Sequence, residues 1–307
     1  MSPTNAAALR DADRLKESQA DTAAESLVRL SPSRASDYKT CPQLFKYRAI
    51  DRLPEPADIY STRGTMIHAV LEQLYLLDSS ERTIERARSL MVEVWANLKA
   101  DPEYSSLELD PLEEEAWLEQ ADGLLVNFFR VEDPTTISPH ELEWWVEHQT
   151  ELTLLRGIID RVEVMPDGEW VLSDYKTGRS PSETYALGSF FGLKFYALVC
   201  WRTFGKMPKL LRLLHLKEPE VITLVPTVQM LKGLEKQLDA LAQAILRAKE
   251  KDDWRPRMSH MCNYCPHKTI CPAYEGERAA AGVSPQEAAI VVPLRGPVTL
   301  TPTLQGS

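Results

Sequence analysis

The chain has 307 residues, 44% of them apolar and 26% charged, enough for one large domain or two modest ones that bury a core without disulfide support. No run approaches the roughly 20 apolar residues of a membrane span. The first 21 residues lack the apolar segment of a secretory leader, so a cytoplasmic protein is expected. The formal charge of −10 is uneven: residues 101–151 carry 15 acidic side chains and one basic one, a net of −14 that leaves the rest at +4. Segments 29–52 and 194–217 each hold six basic residues, against two acidic ones and none, so the acidity does not exclude a nucleic-acid partner.

In chain order, residues 1–28 are rich in Ala, Asp and Glu with little apolar periodicity and are expected to form a flexible tail. Ser31-Pro32-Ser33 offers a capping serine and a first-turn proline ahead of a short helix to about Tyr47. Helical spacing of Ile67, Val70, Leu71, Leu74 and Tyr75 predicts a second helix from about Arg63, which carries His68. Segments 81–100 and 111–130 also read as helices. Residues 142–155 and 156–165 read as strands, Pro166-Asp167-Gly168 as a turn and 170–175 as the next strand, so 156–175 forms a hairpin. An apolar helix is expected over 184–204, with Cys200 as a buried thiol, then strands at 209–217 and 220–225 and an amphipathic helix at 227–250. Residues 276–307 are read as a second flexible tail. Helices around a mixed central sheet define an α/β class, with a metal pocket expected at one sheet edge.

The hairpin carries the chemistry. Asp160, in Gly157-Ile158-Ile159-Asp160-Arg161, and Asp174, in Ser173-Asp174-Tyr175-Lys176-Thr177-Gly178, flank one turn. Paired carboxylates hold a hard divalent cation, Mg²⁺ or Mn²⁺, that polarises a phosphodiester and acidifies bound water. Lys176 follows Asp174 by two strand residues, so its ammonium shares that face and can orient the attacking water or neutralise phosphate charge. A second constellation, Cys262-x2-Cys265-x5-Cys271, has the spacing of metal ligands and suits zinc or an iron–sulfur cluster.

These motifs resemble the RecB-type PD-(D/E)XK nucleases. The resemblance begins at Leu30-Ser31-Pro32-Ser33-Arg34, passes through Arg63-Gly64-Thr65-Met66-Ile67-His68 and ends near the cysteines at 262–272, covering about residues 30–275 of a nuclease domain drawn over 29–275. It implies a restriction-endonuclease-like fold and metal ligation by His68, Asp160, Asp174 and the backbone carbonyl of Tyr175, with Asp160, Asp174 and Lys176 as catalytic residues. His68 would bind as a neutral imidazole with its second nitrogen held by an outer partner. Family members with an iron–sulfur cluster pair one early cysteine with a later C-x2-C-x5-C group. Cys41, followed by proline as Cys271 is, takes that place, giving a [4Fe–4S] cluster on Cys41, Cys262, Cys265 and Cys271 that joins the two ends of the domain. Structural zinc on these cysteines, or on three of them with His260 or His267, is the alternative. The family's Q-x-x-x-Y motif is incomplete: Tyr196 matches, but Gly192 replaces the glutamine, and Lys194 and Arg34 are further candidate DNA contacts.

The resemblance implies an exonuclease acting on single-stranded DNA or DNA ends, in repair or recombination. A trimming nuclease working with CRISPR adaptation proteins would use the same residues. A non-catalytic iron–sulfur DNA-binding subunit of a helicase–nuclease complex is the third reading, and the chain lacks a P-loop of its own.

Overall fold

The computed structural model describes residues 27–104, 106–180 and 188–276. The expected tails therefore lie outside the described residues for most of their length, but Val28 belongs to the sheet, in a short strand β1 (Val28–Leu30) that sequence reading did not find. Ser31 caps α1 (Pro32–Thr40) by accepting from the Arg34 N–H at 3.2 Å, and Pro32 opens that helix. Cys41 and Pro42 interrupt it, and α2 (Pro42–Phe45) runs into a π-helical turn, Lys46–Ile50. The long helices follow: α3 (Ile59–Tyr75), α4 (Ile84–Ala100) and α5 (Pro111–Val131), the last opened by a capping box between Asp110 and Glu113. Then come β2 (Glu141–Gln149), β3 (Thr153–Val164), β4 (Trp170–Lys176), α6 (Phe191–Phe204), β5 (Leu210–His215), β6 (Glu220–Leu224) and α7 (Val228–Lys251).

The first strand boundary moves. Residues 142–155 are not one strand, because the chain turns at Thr150–Leu152, where the Thr150 hydroxyl accepts from the Leu152 and Thr153 N–H groups. The expected helix over 184–204 begins at Phe191 in the described chain; residues 181–187 lie outside it.

The six strands form one mixed sheet in the order β1-β3-β4-β5-β6, with β2 also on β3. One edge of β3 pairs with β2 along most of its length. The other edge must serve both β1, at Thr153–Leu155, and β4, at Arg161–Val164. Residues 156–160 therefore sit between two ladders on that edge. One apolar layer, with α1, α6 and α7, covers one face of the sheet; a second, with α3, α4 and α5, covers the other.

Both β2 and β3 turn over midway. Trp144 and Ile159 pack toward α6, whereas Leu142 and Arg161, of the same parity, pack toward α3 and α5. The reversal falls at Glu143, whose left-handed backbone (φ 43°) is unusual for a non-glycine residue, and at Asp160 opposite, a pair missing from an otherwise continuous register.

Candidate active site

Asp160 and Asp174 occupy the fork where the β3–β4 ladder ends. The last pair is Arg161 with Ser173, after which β4 follows β5 and β3 stays with β2. Instead of a further ladder bond, the Tyr175 N–H donates to Asp160 Oδ2 at 2.8 Å. The pocket thus lies over the middle of the sheet, not at its edge as expected, because β3 and β4 are interior strands.

Helix α3 brings His68 over the fork. Its Nε2 is 3.0 Å from the Tyr175 carbonyl oxygen and its Nδ1 is 3.4 Å from Asp160 Oδ2. Both ring nitrogens face the site, whereas one was expected to point at an outer partner. Gly64 permits this approach: a β-carbon there would stand 3.2 Å from the Thr177 hydroxyl. Lys176 Nζ forms an ion pair with Asp174 Oδ2 at 2.5 Å. Two buried carboxylates beside a histidine offer the oxygen and nitrogen donors that a divalent cation takes.

The protonation states fit such a cation. Burial raises the pKa of Asp174, the Asp160 charge raises it further and Lys176 opposes them, leaving it at about 6. For Asp160, burial is outweighed by His68 and the Tyr175 N–H, and its pKa is lowered. For His68, burial is outweighed by Asp160, and its pKa rises to about 9. Without a cation, the imidazolium stands where the cation's charge would be.

Sequence reading missed two contributors. Glu143 joins His68 and Asp160 in a group whose ligand atoms all lie within 4.8 Å of one another. With Gly64, Thr65, Ala69 and Glu72 it lines a cleft of about 330 Å³ leading to the site. Only the strand register puts Glu143 opposite Asp160, and no local motif marks it. The second is the polar core beneath the site. Arg161 is fully buried and pairs in bidentate fashion with Glu132 at 2.5 and 2.6 Å, and with Glu163 at 2.9 Å. It also donates to the hydroxyls of Tyr75 and Tyr175 at 2.6 and 2.7 Å. This network fixes Tyr175, the residue whose backbone faces His68 and Asp160.

Tyr196 packs from α6 onto β3: a β-carbon at residue 157 would come within 2.5 Å of its ring, so only glycine fits there. Burial raises its pKa, and the Asp174 and Asp160 charges raise it further. At Gly192 a β-carbon would meet only Pro32, at 3.9 Å. Lys194 lies on the same helix, near enough to Lys39 to lower its pKa after the larger effect of burial; Lys39 in turn sits 3.8 Å over the Phe191 ring. Arg34 lies in α1, far along the chain from the carboxylates.

Cys41, Cys262, Cys265 and Cys271 all line one small cavity between the start of α2 and the 3-10 turns His260–Tyr264 and Lys268–Ile270. The Arg257 N–H donates to Cys41 Sγ at 3.3 Å and the Ser259 N–H to Cys262 Sγ at 3.4 Å. Among the described residues, no three of these sulfurs lie within 4.8 Å of one another. His267 is engaged elsewhere, its Nε2 2.7 Å from Glu55 Oε1. Cys200 is buried in α6, as expected.

Comparison with known proteins agrees with this architecture. The family model of the PD-(D/E)XK nuclease superfamily matches residues 29–272, and the chain belongs to that superfamily. A curated relative, the Gene 69 protein of Mycobacterium phage D29, is 26% identical over 197 residues, which is 57% of this chain and 70% of the phage protein. Among solved structures, a Eubacterium rectale protein provisionally assigned as an exonuclease shares the fold at a TM-score of 0.54 and 13% identity, over 81% of this chain and 89% of that one. Nucleases of this superfamily use divalent metals, and the chain has residues that can hold one. Among the described residues, no helix is long and apolar enough to cross a membrane.

Proposed function

We propose that the chain is a Mg²⁺- or Mn²⁺-dependent exonuclease acting on single-stranded DNA or DNA ends. The observation that carries this reading is the fork itself, where two buried strand carboxylates gather with His68, Lys176 and the Tyr175 carbonyl, and Glu143 completes a ligand group with His68 and Asp160. His68, Asp160 and Glu143, whose ligand atoms lie within 4.8 Å of one another, would hold the cation, with Asp174 and the Tyr175 carbonyl as the further oxygens the family motif implies. When bound, it supplies Lewis-acid polarisation of the phosphate and a more acidic water. Lys176 keeps its proton, because Asp174 and Asp160 outweigh burial and raise its pKa. Its ammonium then faces the charge that grows on the phosphate. Arg161 acts through Tyr175 and is a positioning residue. The basic stretch with Lys39 and Lys194 supports a role in guiding the DNA backbone.

For Cys41, Cys262, Cys265 and Cys271 we propose a [4Fe–4S] cluster. The shared cavity and the pattern of one early cysteine with C-x2-C-x5-C support the cluster, and the backbone N–H groups aimed at two of the sulfurs fit a thiolate cage.

The test is incubation of end-labelled single- and double-stranded DNA with Mg²⁺ or Mn²⁺. Stepwise shortening is expected, abolished by chelation and reduced at least about a thousandfold in Asp174→Asn and Lys176→Ala. Full cleavage by either variant would refute the site. Brown protein with near-equal iron and sulfide is expected after anaerobic purification, whereas colourless protein with stoichiometric zinc would replace the cluster.

A further inference from the structure

We infer that Trp145 and Ile158 form a stacking platform for a nucleobase of single-stranded DNA, next to the carboxylate fork; this rests on the nuclease reading above. The helical layer that covers Asp160 and Asp174 leaves the adjoining stretch of the β2–β3 ribbon open. Trp145 and Ile158 are direct cross-strand partners there, 38% and 39% exposed, the one exposed aromatic–aliphatic pair of that ladder. They face away from α6, because Trp144, Val146 and Ile159, of opposite parity, pack toward it, and Asp160 meets His68 of α3 on that same face. Asp160 follows Ile158 by two residues, a distance of about 7 Å along the strand, the scale of one nucleotide.

The ring is held from one side: the Arg156 guanidinium lies 5.7 Å from its centroid, and Arg156 is itself buried. A fixed indole backed by a cation, flush with an aliphatic neighbour and bordering an acidic metal pocket, suits a flat, electron-rich base. A duplex hides its base faces within the stack, whereas a single strand presents them, and stacking on aromatic side chains tolerates any base. The platform therefore selects unpaired substrate and sets the base nearest the scissile phosphate.

The experiment measures anisotropy of a labelled oligothymidylate and of the same strand with abasic sites, without divalent metal. Wild-type protein should bind the intact strand about tenfold more tightly than the abasic one. Trp145→Ala, checked by circular dichroism, should lose that discrimination, Trp145→Phe should keep most of it, and a blunt duplex should bind all three proteins equally. If wild-type protein binds both strands equally, or Trp145→Ala still discriminates, the platform is wrong. Cleavage by wild-type protein in Mn²⁺ separates the two failures, since an active nuclease without base discrimination refutes the platform alone, whereas inactive protein that binds no DNA refutes the nuclease reading.

Discussion

The carboxylate fork and the cysteine cavity are built in opposite ways. At the fork, two interior strands and one long helix fix every group, and a fully buried arginine network locks the strands from below. Around the cysteines, secondary structure supplies little beyond short turns. The cavity closes because two chain ends meet: the Tyr47 hydroxyl donates to the Ile270 carbonyl at 3.2 Å, Arg257 reaches the Lys39 carbonyl, and Glu55 pairs with His267. The fold itself makes the fork, whereas a group bound by four sulfurs would add to the tethering of the second region. Damage to the first should spread through the domain; damage to the second should stay local.

The largest effect is expected at Arg161. Arg161→Met leaves Glu132 and Glu163 buried without their main partner, which costs about 3–5 kcal/mol. Urea denaturation should show one cooperative transition shifted to lower urea, and a shift under about 1 kcal/mol would mean that Arg212, which contacts both glutamates, carries the pairing. Cys265→Ser should do less. Limited proteolysis of that variant should cut first within 30–50 and 255–275 while the sheet and α3–α5 stay protected, and uniform degradation would contradict a local staple.

The smallest effect concerns Glu55. Burial opposes its charge, but the contacts with His267 and Arg48 outweigh burial and hold its pKa near 2, below the ordinary value of 4.5. A depressed carboxylate pKa contributes stability that is present above pH 4.5 and lost as pH falls toward 2. Glu55→Gln should lower Tm slightly at pH 7, and its gap from wild type should narrow between pH 5 and pH 2. A gap that widened with acid would reverse the assignment.

Much of the fork is legible in the sequence, since Asp160, Asp174 and Lys176 belong to one hairpin and strand periodicity sets their facing. The helices α4, α5 and α7 are likewise found within a few residues of their expected bounds, because apolar spacing is a local signal. What escapes depends on pairing between distant segments. β1 is three residues long and exists only through its parallel register with Thr153–Leu155. Glu143 reaches the site only through the register of β2 on β3, and Glu132 meets Arg161 only after α5 docks. The place of the pocket within the sheet was misjudged for the same reason: β2 and β5 flank the hairpin, and nothing local says so.

The claim that the fork holds a cation is tested most directly by calorimetric titration of the chain with Mn²⁺ in buffers of different ionisation enthalpy. His68, with a pKa of about 9, carries a proton at pH 7.5 that an incoming cation must displace. One Mn²⁺ should bind per chain with release of close to one proton, affinity should rise with pH toward 9, and binding should be lost in Asp160→Asn. Binding of equal affinity in Asp160→Asn, or binding without proton release at pH 7.5, would contradict it.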